Sequence, residues 1–182
     1  MEKIDYLFME AASESFNLKP KFLELGSRVI GNQKELSARN VFDIGLNGNK
    51  DYIGVDYIGV DYIDGEGVDK VCDVRRLPFE DQSFNTIIAM NLLEHVQQPW
   101  LALEEIKRVL SKEGVVILAT PFCYEIHGCP YDYYRFTPSF YLDMFKEFKT
   151  KITVTVGYRM RPKMVYFIGG NCDSLETCYD DL

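Results

Sequence analysis

The sequence predicts an α/β domain built on a mainly parallel sheet, and three observations point there. Short apolar runs of strand length alternate with segments of helical spacing. The run "VVILATP" is apolar on both faces, as a strand covered by helices on either side must be. Two strand-like runs, "KITVTV" and "KMVYFIG", then follow each other closely near the end. At 182 residues the chain suits one domain, expected to divide into a leading helix (1–19), a core (20–170) and an acidic tail (171–182).

Residues 3–16 place Ile4, Leu7, Phe8, Ala11 and Ser15 on one helical stripe, with acidic residues largely elsewhere. "KPKFLELGS" gives a first strand over Lys21 to Leu25, stopped at Gly26, with Pro20 at its mouth. A short helix is expected over 33–43 and a turn at "LNGN". Then comes "DYIGVDYIGVD", in which Asp51 to Val55 and Asp56 to Val60 are one phrase in tandem. Strand side chains alternate faces and five is odd, so the two copies cannot play the same part in one continuous strand. Val68 to Cys72 reads as a third strand, "RRLPFEDQSF" as a loop and "NTIIAM" as a fourth strand. In "PWLALEEIKRVL" Leu103, Ile106, Val109 and Leu110 recur at helical spacing behind Pro99, and "SKEG" is expected to end that helix. Thr137 and Pro138 mark the start of a last helix in "TPSFYLDMF".

Composition limits the partners. A formal net charge of −8 disfavours a broad nucleic-acid or anionic-membrane surface and favours a small molecule or a protein. The first residues lack a signal peptide's apolar stretch and no segment is apolar for long enough to span a bilayer, so a cytoplasmic location is expected. Five cysteines without a CxxC pair read as reduced thiols. Oligomeric state is not written in the sequence.

Ligands of a parallel sheet bind beyond the carboxyl ends of its strands, near the point where strand order reverses. Those ends are Glu24 to Arg28, Asp56 or Asp61, Asp73 with Val74, Asn91 to His95, and Thr120 to Pro121. Most carry acidic or amide groups, which suit a nucleoside and an ammonium group. The first loop, "LELGSRVIGN", lacks GxGxxG and there is no GxxxxGK[ST], so ATP, NAD and nucleotide sugars have no phosphate cradle.

Taken together, "LELGS", "YIGVD", "VCDVRRLPFEDQSFNTIIAMNLLEHV", "ALEEIKRVLSKEGVVILATP" and "DYYRFTPSF" resemble the class I S-adenosylmethionine-dependent methyltransferases, in the branch around the type 11 methyltransferase domain. The resemblance implies a Rossmann-like three-layer sandwich: a seven-stranded sheet with its last strand antiparallel and helices on both faces. It implies S-adenosylmethionine as cofactor and S-adenosylhomocysteine as product. Carried over position by position, Glu24, Gly26, Ser27 and Arg28 would lie at the methionine end. Asp61 with Tyr62 would hold the ribose, Asp73 and Val74 would meet the adenine, and Asn91 and Leu92 would border cofactor and acceptor. The family's sequel to "YIGVD", a glycine turn and then "GVD", follows only the second copy of the repeat, which selects Asp61 over Asp56. Asp61 to Val68 is too short for a helical crossover, so the second crossover helix is expected to be missing. Where the family's first loop has further glycines this chain has Ser27, Arg28 and Val29. Arg28 either grips the cofactor carboxylate or obstructs the site.

Methyl transfer from a sulfonium is an in-line displacement, and a base is needed only where the acceptor must shed a proton. His127, in "PFCYEIHGCPYDYYRFTP" after the fifth strand, is the candidate base. His95, Tyr124, Tyr133, Tyr134 and Arg135 are the candidate acceptor contacts, with Tyr131 among them in the same segment. Cys123, His127 and Cys129 match no common zinc spacing, and no metal is assigned. The expected activity is methyl transfer to a small hydroxyl or nitrogen acceptor. The alternatives are a protein that binds the cofactor without turnover and an interaction protein with a degenerate pocket.

Overall fold

The computed structural model describes residues 3–16, 18–29, 56–128 and 131–171. The helix expected over 33–43, the first copy of the repeat, Cys129 and the acidic tail beyond Asn171 lie outside the described residues.

Seven strands form one sheet: β1 (Phe22–Leu25), β2 (Tyr57–Asp61), β3 (Lys70–Val71), β4 (Phe84–Met90), β5 (Leu110–Pro121), β6 (Thr150–Tyr158) and β7 (Arg161–Gly170). Their order is β3-β2-β1-β4-β5-β7-β6. Pairing is parallel from β3 through β5, and β7 runs antiparallel to both β5 and β6. Six strands therefore point one way and the last opposes them, as the resemblance implied.

Alternation along the central strands sorts their side chains onto two faces. Leu23, Leu25, Ile87, Ala89, Val116 and Leu118 pack beneath α2 (Pro99–Val109) and α3 (Pro138–Met144), whose Leu103, Ile106, Tyr141 and Phe145 are fully buried. Phe22, Ile88, Ile117 and Tyr166 face α1 (Lys3–Ser15) through Met9 and Ala12. Helices thus cover both faces. The buried stripe of α1 is not the one expected from its apolar residues. Leu7 is exposed, whereas Asp5 is fully buried because its carboxylate accepts from Tyr166 Oη at 2.8 Å and Asn91 Nδ2 at 3.0 Å. The helix has turned to satisfy that acid.

Two further expectations change. "SKEG" does not end a helix; it lies inside β5, which begins at Leu110 directly after α2, and the register with β4 slips between Phe84 and Thr86. The third strand shrinks to two residues, pairing Val60 with Lys70 and Asp61 with Val71.

That shortness resolves the missing crossover. Because β3 pairs only with the last two residues of β2, the chain needs to double back by only about 7 Å, and a loop suffices. Residues 62–69 fold over the end of β2. Asp69 Oδ2 accepts from Gly59 N at 2.7 Å, Asp69 N donates to Gly59 O at 2.8 Å, and Val29 N donates to Glu66 O at 2.9 Å. Two glycines permit the approach. A Cβ at Gly59 would lie 2.4 Å from Gly67 O and 2.7 Å from Ser27 Oγ, and Gly67, at φ +86°, would bring one within 2.5 Å of Ser27 O.

Gly59→Ala should therefore lower stability by about 1–3 kcal/mol, the usual cost of overpacking, read as a lower urea midpoint at unchanged slope. A midpoint equal to that of the parent protein would mean that the loop moves aside freely and that this contact holds nothing in place.

Candidate active site

A cavity of about 300 Å³ opens beyond the carboxyl ends of β1 to β4. It lies where strand order reverses between β1 and β4, the position at which parallel sheets collect ligands. Its base is formed by Gly26 and Arg28 after β1, Asp61 and Tyr62 at the end of β2, Asp73, Val74 and Arg75 after β3, and Asn91 and Leu92 after β4. His95, Val96, Gln97, Tyr131 and Tyr133 complete the wall.

Each base residue is fixed by a local reason. Gly26 adopts φ +77°, and a Cβ there would meet the Leu92 side chain at 3.2 Å, so glycine lets the β1 and β4 ends come together. Asn91 also sits at positive φ, held by its amide to Asp5 and by its N–H to Ala119 O at 2.9 Å. Asp61 Oδ1 accepts from Ile63 N at 3.0 Å, an Asx turn that orients the carboxylate at the strand tip. Val74 is buried.

Cations already attend both carboxylates. Arg28 Nε stands 4.0 Å from Asp61 Oδ1, with its methylenes against Gly65. Asp73 takes Arg75 in a bidentate grip, with Nε at 3.0 Å from Oδ1 and Nη2 at 2.7 Å from Oδ2, and this bond holds its pKa below the usual value.

The upper wall is pinned to the short 3₁₀ turn Leu93–His95. Tyr133 N donates to Glu94 O at 2.7 Å, the Tyr131 carbonyl lies 2.6 Å from His95 Nδ1, and Tyr134 Oη donates to Gln97 O at 2.9 Å. Behind this wall Arg135 pairs with Asp132 and also donates to Tyr134 O at 2.8 Å, and the pairing holds the Asp132 carboxyl below its ordinary range. Glu94 is fully buried, and neither of its carboxylate oxygens has a hydrogen-bond partner; burial pushes its pKa up to about 8. Burial also lowers that of His95.

Of the residues expected to act, Gly26, Arg28, Asp61, Tyr62, Asp73, Val74, Asn91, Leu92, His95 and Tyr133 share the cavity. Asp56 does not: it precedes β2 and serves through its carbonyl, which accepts from Phe22 N at 2.8 Å. Glu24 lies beneath the wall, where its carboxylate accepts from Tyr57 Oη at 2.7 Å. Ser27 is buried under the 62–69 loop. Tyr124, Tyr134 and Arg135 brace the segment above the cavity without lining it. His127 stands behind His95, its Nδ1 3.2 Å from Asp132 Oδ2 and its Nε2 3.9 Å from Glu94 Oε1, so both ring nitrogens face carboxylates. Arg75, Val96 and Gln97 were not foreseen as site residues. The signal for Arg75 was present, since an arginine two residues after an aspartate can fold back onto it.

Known proteins share this fold. Residues 47–118 match the type 11 methyltransferase family, described as "Methyltransferase domain". An uncharacterised Methanocaldococcus jannaschii protein, MJ0638, is 40% identical over 50 residues, a stretch covering 27% of this chain and 22% of that protein. The chain therefore spans well under two thirds of that relative. Among solved structures, a chain from the Haloferax volcanii complex of the Trm112 methyltransferase activator with a methyltransferase is 17% identical with a TM-score of 0.58, covering 93% of this chain and 91% of its own. An S-adenosylmethionine-dependent methyltransferase from Aquifex aeolicus is 14% identical with a TM-score of 0.59, covering 88% of each chain. The methyltransferase CalH, solved with S-adenosylhomocysteine, is 16% identical with a TM-score of 0.63, covering 90% of this chain and 54% of its own. The family match spans β2 to most of β5, and the fold of the whole sheet is the one these S-adenosylmethionine-dependent methyltransferase structures share.

Proposed function

We propose that this chain binds S-adenosylmethionine across the tips of β1 to β4 and transfers its methyl group to a small hydroxyl or nitrogen acceptor, in the cytoplasm. One observation carries the reading: a single cavity gathers Gly26, Asp61, Asp73, Val74, Asn91 and Leu92 from the ends of four strands. These groups fit the cofactor. Asp61 Oδ2 has no donor among the described residues, which leaves an acceptor for a ribose hydroxyl. Gly26 admits close approach at the strand crossing, and Val74 with Tyr62 offers apolar and aromatic surface for a base. The nearest backbone turn carries no phosphate-binding glycine pattern, which disfavours dinucleotides.

When bound, S-adenosylmethionine supplies an electrophilic methyl group on a sulfonium. The chain's own contribution is placement: Asp61 and Asn91 orient, and Tyr131 and Tyr133 limit water at the acceptor end. No helix among the described residues is long and apolar enough to cross a membrane. The Haloferax volcanii neighbour stands in a complex with a methyltransferase activator, which keeps a protein partner, or an acceptor other than a small molecule, within the same reading.

A second reading is favoured by Arg28, whose side chain reaches Asp61 from within the cavity. Unless it swings toward the cofactor carboxylate, it competes with the ribose. A protein that binds the cofactor weakly and does not turn over would follow.

Calorimetry separates these outcomes. S-adenosylmethionine and S-adenosylhomocysteine are each expected to bind once per chain and NAD not at all; NAD uptake with no response to either sulfur compound would end the proposal. Asp61→Ala should weaken S-adenosylhomocysteine binding by about 5- to 150-fold, the equivalent of about 1–3 kcal/mol from lost charged hydrogen bonds. Asp56→Ala, at an exposed position whose side chain is remote from the cavity, should stay within about twofold. Equal losses at the two aspartates would show that the ribose is held elsewhere.

A further inference from the structure

The side chains of Glu94, His95 and His127 converge at the upper wall of the cavity. Nε2 of His95 lies 3.7 Å and Nε2 of His127 3.9 Å from Glu94 Oε1, and the ligating atoms of all three residues lie within 4.8 Å of one another. Neither oxygen of the fully buried Glu94 receives a hydrogen bond.

The outer bonds fix which ring nitrogens carry protons. His95 Nδ1 is 2.6 Å from the Tyr131 carbonyl, which can only accept, so that nitrogen donates and in the neutral ring the lone pair sits on Nε2. His127 Nδ1 is 3.2 Å from both Asp132 Oδ2 and the Glu125 carbonyl, with the same result. Asp132 is in turn held by Arg135, and its Oδ2 also takes the His127 backbone N–H at 3.0 Å. With both rings neutral, the two Nε2 lone pairs face the Glu94 carboxylate, neither oxygen of which receives a hydrogen bond. Protonating Glu94 would not repair this, because its oxygens are too far from either nitrogen for a hydrogen bond. A cation would satisfy all three groups at once.

We propose that Glu94, His95 and His127 bind a divalent transition-metal cation, through the Glu94 carboxylate and the two Nε2 atoms. Two imidazoles with one carboxylate are a ligand set for zinc, iron or manganese rather than calcium. Ligands on one zinc ion at ~2.1 Å stand about 3.4 Å apart in tetrahedral geometry, so the carboxylate-to-nitrogen spans of 3.7 and 3.9 Å close by about half an ångström or less, while the set as a whole, contained within 4.8 Å, closes by up to about 1.4 Å. The partners on each Nδ1 are those that orient metal-bound histidines elsewhere. The spacing of Cys123, His127 and Cys129 concealed this set, because the true companions of His127 lie more than thirty residues away, at Glu94 and His95. Since His95 also lines the cavity, the cation borders its acceptor end. A hydroxyl is then the acceptor class whose oxygen can complete the coordination, a step that rests on the function proposed above.

The test is titration of the metal-free full chain with Co²⁺, followed by visible absorption and calorimetry, with S-adenosylhomocysteine titrated into the same samples. One Co²⁺ per chain is expected. Glu94→Gln and His127→Gln should each weaken it by more than the about 10- to 100-fold that loss of an outer-shell partner costs, with S-adenosylhomocysteine affinity unchanged. Glu94→Gln keeps the volume and places no charge in the buried site, so it should fold. Co²⁺ bound equally by parent and Glu94→Gln, or no Co²⁺ uptake by a parent chain that binds S-adenosylhomocysteine, overturns the cation site. Co²⁺ uptake without S-adenosylhomocysteine binding leaves the site standing and removes the cofactor reading.

Discussion

The close approach of Gly59, Gly67 and Ser27 is the constraint from which the cavity takes its shape. Backbone of the 62–69 loop rests where a side chain of β2 would otherwise project, and backbone of the first loop rests against Gly67 in turn. Three consecutive pieces of the site, the ends of β1, β2 and β3, are thereby set at fixed separations without a crossover helix. Asp61 inherits its position from this contact, since it follows Gly59 by two residues and its own turn begins the loop. The repeated phrase supplies the required glycine, and the chain uses the copy whose sequel can fold back onto it.

A second consequence concerns charge. A site that binds a nucleoside without phosphates can use carboxylates, which accept hydroxyl donors, in place of a helix N-terminus. Carboxylates facing each other across a small cavity repel, and this chain answers with Arg28 beside Asp61 and Arg75 on Asp73. The two cations differ in kind. Arg75 is locked by a bidentate pair on a short arc of chain, whereas Arg28 Nε stands 4.0 Å from Asp61 and the arginine's stem spreads over a glycine.

Periodicity carried the strands well. "VVILATP" and "KMVYFIG" read as strands because β-branched and aromatic residues crowd runs too short for helices; Asp73 and Asn91 followed from knowing where such strands end, while the choice of Asp61 over Asp56 came from the resemblance. What failed was whatever depended on a distant partner. Asp5 looked like a solvent-facing residue of α1, because nothing nearby announces Asn91 or Tyr166. "SKEG" looked like a stop because its polar residues hid a strand edge whose pairing with β4 continues through a bulge. Glu94 has no role assigned from sequence, because its burial is decided by the 131–135 segment, about forty residues on. Local pattern encodes the elements; the partners of a buried charge are set by topology.

The wall over the cavity is stiff at one end and loose at the other. Rings succeed one another from Tyr131 through Tyr133, Tyr134 and Phe136 to Tyr141 and Phe167, with centroid separations of 5.6 to 6.1 Å. Phe136 and Tyr141 belong to the core, and Tyr141 is further tied to Thr120 at 2.8 Å. Tyr131 is 62% exposed and hangs on one bond from its carbonyl to His95. Displacing the buried end would open the core, at about 1.5–3 kcal/mol per large side chain, whereas lifting Tyr131 costs little more than one hydrogen bond. Tyr131 is thus the least anchored ring of the series, and whatever steadies His95 also steadies it.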